Sequence, residues 1–375
     1  MYKSATDISK ILGDFKLKDR MFRYSSFVPR LYNYCISKGF EAGKIMPSRA
    51  FCSDESQGYP IILICKHFGT FPFNHGRVGG VVATDRHGPH AEHGKDMVII
   101  QASHVGYDPD TKEFGVYRRL CTEHGENSSS CGKVDGVLSW YQGEYNFARN
   151  NILVERRDNQ YLIMIDNQLL NMQREEGIFL KLDKLIESDN EHFISEESHS
   201  TSKYFKASKE ICSLFPDLNA RTVIGDKLLP EFFFYKRQIS RDVESHGHLE
   251  NNLFDVMPWL VSSSAPLLDA AKANTQIEFD RTFRTIVKNK SYKGKKIIYI
   301  SGLNIDISPQ ENQIFPLTKF VPWAAFFMNE DGTQEIIEQA ELYSLLQNQS
   351  DSNPDKIDME EAIEVMEKAK EVKLF

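Results

Sequence analysis

Histidine is unevenly spread along this chain. Seven of the eleven histidines, His67, His75, His87, His90, His93, His104 and His124, fall between positions 67 and 124, and four of the six cysteines, Cys52, Cys65, Cys121 and Cys131, lie in or beside that stretch. Thiolate and imidazole are the ligands zinc prefers, and two thiolates with one imidazole leave a fourth position open. The chemistry this composition suggests is therefore that of a metal-activated water.

The cysteines differ in where they fall. Cys65, inside IILICKHF, and Cys35, inside LYNYCISKGF, sit within buried helical patterns and read as small core residues, as does Cys212. Cys121 follows YRRL and precedes a loop, which leaves it undecided. Cys52, His104 and Cys131 each sit at the end of an element, where sites in open α/β sheets gather. No CxxC or HxxxH spacing ties the three together.

The elements that must position them can be read from periodicity. Residues 44–52, KIMPSRAFC, form an extended segment ending at Cys52, and Asp54 and Ser56 follow as helix-start residues. DMVIIQAS has the length and β-branching of a buried strand and delivers His104 at its end. NSSSCGKVDGVLSWYQ opens with cap-forming serines and continues as a helix, so Cys131 lies near an N-terminus whose dipole favours a thiolate. Between the first two, residues 69–95 form a long loop rich in glycine and histidine.

Further along, residues 160–187 read as a helical pair and 188–202 as a polar linker. Residues 203–348 have the mixed pattern of an α+β domain, with KKIIYISGLNID and FVPWAAFFMNEDGTQEII as strands, and 349–375 end in an amphipathic helix. The expected organisation is a metal-binding domain over 1–187, the linker, the second domain and the terminal helix.

Composition excludes other classes. The 53 acidic and 45 basic residues give a net charge of −8 and are mixed along the chain, which argues against nucleic-acid binding. No apolar run approaches the roughly 20 residues needed to cross a bilayer. Asp7 and Asp14 interrupt the first residues, which do not read as a secretory signal. Sparse cysteines fit a reducing compartment, so the cytoplasm is expected.

FCSDES before a helix, RVGGVVATDRHG, a strand ending in SHVGYD, and SSSCG opening a helix occur in this order. Over roughly residues 25–175 the chain thereby resembles the limiting-CO2-inducible B/C family, the theta-class carbonic anhydrases, whose fold is similar to the beta class. The resemblance implies an α/β fold with a mostly parallel sheet flanked by helices, here followed by the second α+β domain. It implies Zn2+ on Cys52, His104 and Cys131, and reversible hydration of CO2 to bicarbonate by a zinc-bound hydroxide. It also implies a homodimer.

Asp54 matches the aspartate that either ligates zinc in a closed state or pairs with an arginine to open it. Beta-class enzymes carry that arginine four residues after the cysteine, as CxDxR. Here Ser56 takes the place, and Ser53 replaces the family's arginine between Cys and Asp. The arginine must come from elsewhere, with Arg49 and Arg86 as candidates. His87, His90 and His93, with pKa values ordinarily near 6.5, could export the proton or could simply be solvated loop residues. The alternative is a non-catalytic zinc protein with a closed site serving assembly or regulation. A metal-dependent hydrolase lacks support, since neither HExxH nor HxE with PCxxC is present.

Overall fold

Two apolar, β-branched runs 200 positions apart, around residues 97–102 and 297–302, lie side by side at the centre of one sheet. The computed structural model describes residues 13–82, 96–119, 127–189, 192–240, 247–310, 312–313 and 316–371. The elements that matter for the site are α1 (Tyr24–Ser37), β1 (Ile45–Ala50), α2 (Gly58–Phe68), β2 (Phe73–Asn74), β3 (Asp96–Asp108), β4 (Val116–Arg118), β5 (Asn127–Ser129) and α3 (Gly132–Asn151). Then come α4 (Pro266–Lys288), β6 (Ile297–Ile307), β7 (Lys319–Met328), β8 (Gln334–Glu338), α5 (Gln339–Gln347) and α6 (Met359–Glu367).

In the main sheet β2, β1, β3 and β6 run parallel in that spatial order, and β7 and β8 continue it antiparallel. Both faces of β3 and β6 are buried along nearly their whole length, as interior parallel strands require. Side chains alternate between faces. Val98, Ile100, Ala102, Ile298 and Ile300 pack with Phe27 and Leu31 of α1, Ile64 of α2 and Leu346 of α5. Met97, Ile99, Ile297 and Tyr299 pack with Phe279 and Ile286 of α4 on the other side. The α/β fold with a mostly parallel sheet between helices is the one expected.

The division of the chain differs from the linear one. Contacts separate Met1–Lys133 together with Ala270–Phe375 from Val134–Asp269, so a break at 188–202 followed by an independent 203–348 domain is not what forms. The reason is β6: it is the parallel neighbour of β3 in register from Ile297↔Met97 to Ile307↔Tyr107, and periodicity within a strand carries no information about which strand it will pair with.

The second unit holds a five-stranded antiparallel sheet. Residues 160–166, read from sequence as helical, are its strand Gln160–Asp166, paired with Ile152–Arg157. The turn between them is Asp158–Asn159, both at positive φ, a two-residue hairpin signal that the apolar periodicity masked. The residues read as a linker contain a further strand of that sheet, Ser195–Ser198. Among the described residues no helix is long and apolar enough to cross a membrane.

Candidate metal centre

The sheet's register brings the three candidate ligands together. Cys52 lies just beyond the carboxyl end of β1, and Cys131 immediately precedes α3. His104 lies inside β3, which runs on to Asp108 rather than ending at the histidine. The β4–β5 hairpin carries Cys131 to β3 through hydrogen bonds from Gly106 N–H to the Ser130 carbonyl and from Gly115 N–H to the Gly106 carbonyl. Only glycine permits this approach, because a Cβ at position 106 would stand 2.5 Å from the Val116 carbonyl oxygen. The result is one ligand atom from each of Cys52, His104 and Cys131 within 4.8 Å of one another, all buried.

The donor set fits a zinc ion. The two sulfurs are 3.9 Å apart, close to the roughly 3.8 Å that tetrahedral geometry and a Zn–S bond of about 2.3 Å require. His104 places Nδ1 2.9 Å from Asp306 Oδ2, while its Nε2 is buried without a hydrogen-bond partner. A buried nitrogen left in that state is costly unless something takes its lone pair. Gly79 donates its N–H to Cys52 Sγ at 3.2 Å. Beside it, Gly80 stands at φ +76°, where a Cβ would meet the Ala102 carbonyl oxygen at 2.3 Å.

The electrostatics of the three side chains are strongly coupled. The two thiols are shifted in opposite directions: Cys52 is pulled down by its hydrogen bond with Cys131, against burial, with help from His104 and the Gly79 N–H, while Cys131 is pushed up by that same bond and by burial. Burial works against a charged His104, yet the neighbouring thiolate and Asp306 raise it well above the usual imidazole value.

Asp54 stands two residues beyond Cys52 and is held by Arg119. The guanidinium places Nη2 3.0 Å from Oδ2 and Nη1 3.4 Å from Oδ1 of Asp54, pairs also with Glu55, and donates from Nε to Ser128 Oγ at 2.7 Å. Burial raises the Asp54 carboxyl, but the Arg119 bonds, the His104 charge and the Ser56 N–H outweigh it and hold it below its ordinary range. Among the described residues, then, the arginine on Asp54 is Arg119 and not the expected Arg49. Arg49 lies on β1, half-buried, with its carbonyl taking the His75 N–H. Arg86 lies outside the described residues, as do His87, His90, His93, Cys121 and His124. The sequence signal for Arg119 was the YRRL run, where an arginine follows a short strand directly.

Of the remaining cysteines, Cys35 and Cys65 are buried in α1 and α2, and burial raises both thiols. They are the core residues expected.

No family model matches the sequence, and neither does any curated protein. Solved structures do share the fold. The crystal structure of PtLCIB4, described as a homolog of the limiting CO2-inducible protein LCIB, matches with a TM-score of 0.50 at 10% identity, covering 89% of this chain and 99% of that one. A point variant of PtLCIB4 gives 0.49 at 11% identity over 88% and 95%. LCIB itself gives 0.43 at 12% identity over 86% and 96%. At 10% identity the likeness to PtLCIB4 is one of fold, and it is the fold that the sequence resemblance implied.

Proposed function

We propose that this chain is a relative of the limiting-CO2-inducible proteins that binds zinc through Cys52, His104 and Cys131 and catalyses the reversible hydration of CO2 to bicarbonate. The observation that carries the reading is the buried Cys-His-Cys cluster, with one histidine nitrogen fixed by a carboxylate and the other without a partner. Zinc in such a site supplies Lewis acidity that brings a water molecule to ionise near pH 7.

The chain's own residues do the rest. Asp306 holds the imidazole ring in one orientation with its proton on Nδ1. Arg119 keeps Asp54 ionised and fixes both carboxylate oxygens, so Asp54 is available to accept a hydrogen bond from the reacting water and thereby aim the water's lone pair at the carbon of CO2. Held in this way, Asp54 is not free to act as a ligand itself, which favours an open over a closed site.

The second reading is a protein that holds the metal without turnover. Ser56 favours it, because the residue at the beta-class arginine position is turned onto Asp306 and contributes to Asp54 only its N–H. Metal content and stopped-flow CO2 hydration, on the wild type and on Cys52→Ala, separate the two. One zinc per chain with hydration lost in the variant supports the enzyme. Zinc without hydration between pH 7 and 9 supports the second reading, and no zinc overturns both. A homodimer is the assembly proposed, on the family resemblance alone, and light scattering of the full chain tests it.

A further inference from the structure

Asp306 has no exposed side-chain surface and lies on β6, two residues beyond Asn304, which is registered opposite His104. The alternation of a strand therefore puts Asn304 and Asp306 on the face that carries His104. Oδ2 of Asp306 accepts from His104 Nδ1 at 2.9 Å, Ser56 Oγ at 2.9 Å and Gln57 Nε2 at 2.7 Å, and Oδ1 accepts from Thr318 Oγ1 at 3.0 Å. None of these donors is lysine or arginine. A carboxylate buried this way is expensive unless a positive charge stands nearby, and the place for one is beyond His104.

The network has one direction. Tyr24 Oη donates to Asn304 Oδ1 at 2.7 Å, Asn304 Nδ2 to Gln57 Oε1 at 2.6 Å, and Gln57 Nε2 to both Ser56 Oγ and Asp306. Every donor points toward the carboxylate. A carboxylate oxygen accepts, so the ring nitrogen that faces Asp306, Nδ1, is the donor, and Nε2 is the nitrogen left to face the two cysteines.

We propose that Ser56 and Asp306 form a positioning pair for the metal ligand His104. The residue at the arginine position of the beta-class motif thus orients a ligand, while Arg119, from beyond β4, orients Asp54. This rests on the metal-site reading above and not on turnover. Neither residue touches the metal or the substrate. Ser56 acts through Asp306, and Asp306 acts through the imidazole.

The test uses the full chain as wild type, Ser56→Ala, Ser56→Thr and Asp306→Asn. Zinc affinity is measured by competition with a chromophoric chelator, and the Co2+-loaded proteins are compared by their d–d absorption. Loss of an outer partner of a ligand histidine weakens metal binding by about 10- to 100-fold. Asp306→Asn is expected at the upper end of that range and Ser56→Ala at the lower, both with altered Co2+ bands. Ser56→Thr keeps the hydroxyl and restores the wild-type affinity and bands. If the wild type holds one zinc per chain and both Ser56→Ala and Asp306→Asn bind it equally tightly with an unchanged Co2+ spectrum, the positioning pair is overturned and the metal site stands. If the wild type takes up neither zinc nor Co2+, the metal reading itself falls. Ser56→Ala also decides the matter if Asp306→Asn does not fold.

Discussion

His104 and His67 are both buried, at 1% and 7% exposure, and the protein treats them in opposite ways. His104 faces a carboxylate and two thiols, and these neighbours raise its pKa against the effect of burial. His67, near the end of α2, is lowered to about 4 by burial and by the nearby charges of Lys66 and Lys356. Its Nδ1 accepts from Asn353 Nδ2 at 3.2 Å, and the same amide donates to the His67 carbonyl at 3.0 Å. Burial alone therefore does not decide what a histidine does. The chemistry of its neighbours decides, making one histidine a cation site and the other a neutral anchor for the segment after α5.

The sharpest way to break this contrast is at the cysteines. Cys52→Ala should abolish stoichiometric zinc, read by metal analysis of the purified protein, whereas His67→Gln should leave it unchanged. A Cys52→Ala protein that still carries one zinc per chain would show that Cys52 is not needed to hold the metal and would break up the proposed ligand set. Next in size is the Asp54–Arg119 pair. Asp54→Asn is expected to lower kcat/KM for CO2 hydration by about 100-fold or more, and Arg119→Ala by about 10- to 100-fold through loss of orientation, each with zinc content at the wild-type level. Equal activity in Arg119→Ala would mean that the observed pairing does not serve the reaction.

At His67 the effects are on stability. Asn353→Ala removes both hydrogen bonds and should cost about 1–2 kcal/mol in denaturant unfolding. The pH dependence follows from a folded pKa of about 4 against about 6.5 when unfolded. Between those values the unfolded chain binds a proton that the folded chain does not. Stability is therefore fully present above pH 6.5 and declines as pH falls toward 4. His67→Gln should flatten that part of the curve, and an unchanged slope would show that His67 titrates normally.

The sequence singled out Cys52, His104 and Cys131 because each read as the end of an element in an ordered set of motifs; the structure brings all three together, although β3 runs on past His104. It did not point to Asp306, which is 202 residues from His104 and meets it only because β6 is the parallel neighbour of β3. Arg119 was equally hidden, since the CxDxR pattern directs attention to position 56 and the structure supplies the guanidinium from beyond a different strand.

What the amino-acid order determines here is local. Buried strands declare themselves by apolar runs, α3 by its opening serines and periodicity, and the metal-type donors by their clustering. Which strands become neighbours was decided by tertiary structure alone. Parallel pairing spends backbone hydrogen bonds that every residue carries alike, so its partner leaves no mark in side-chain pattern. The carboxylate that orients His104 and the division of the chain both follow from that pairing.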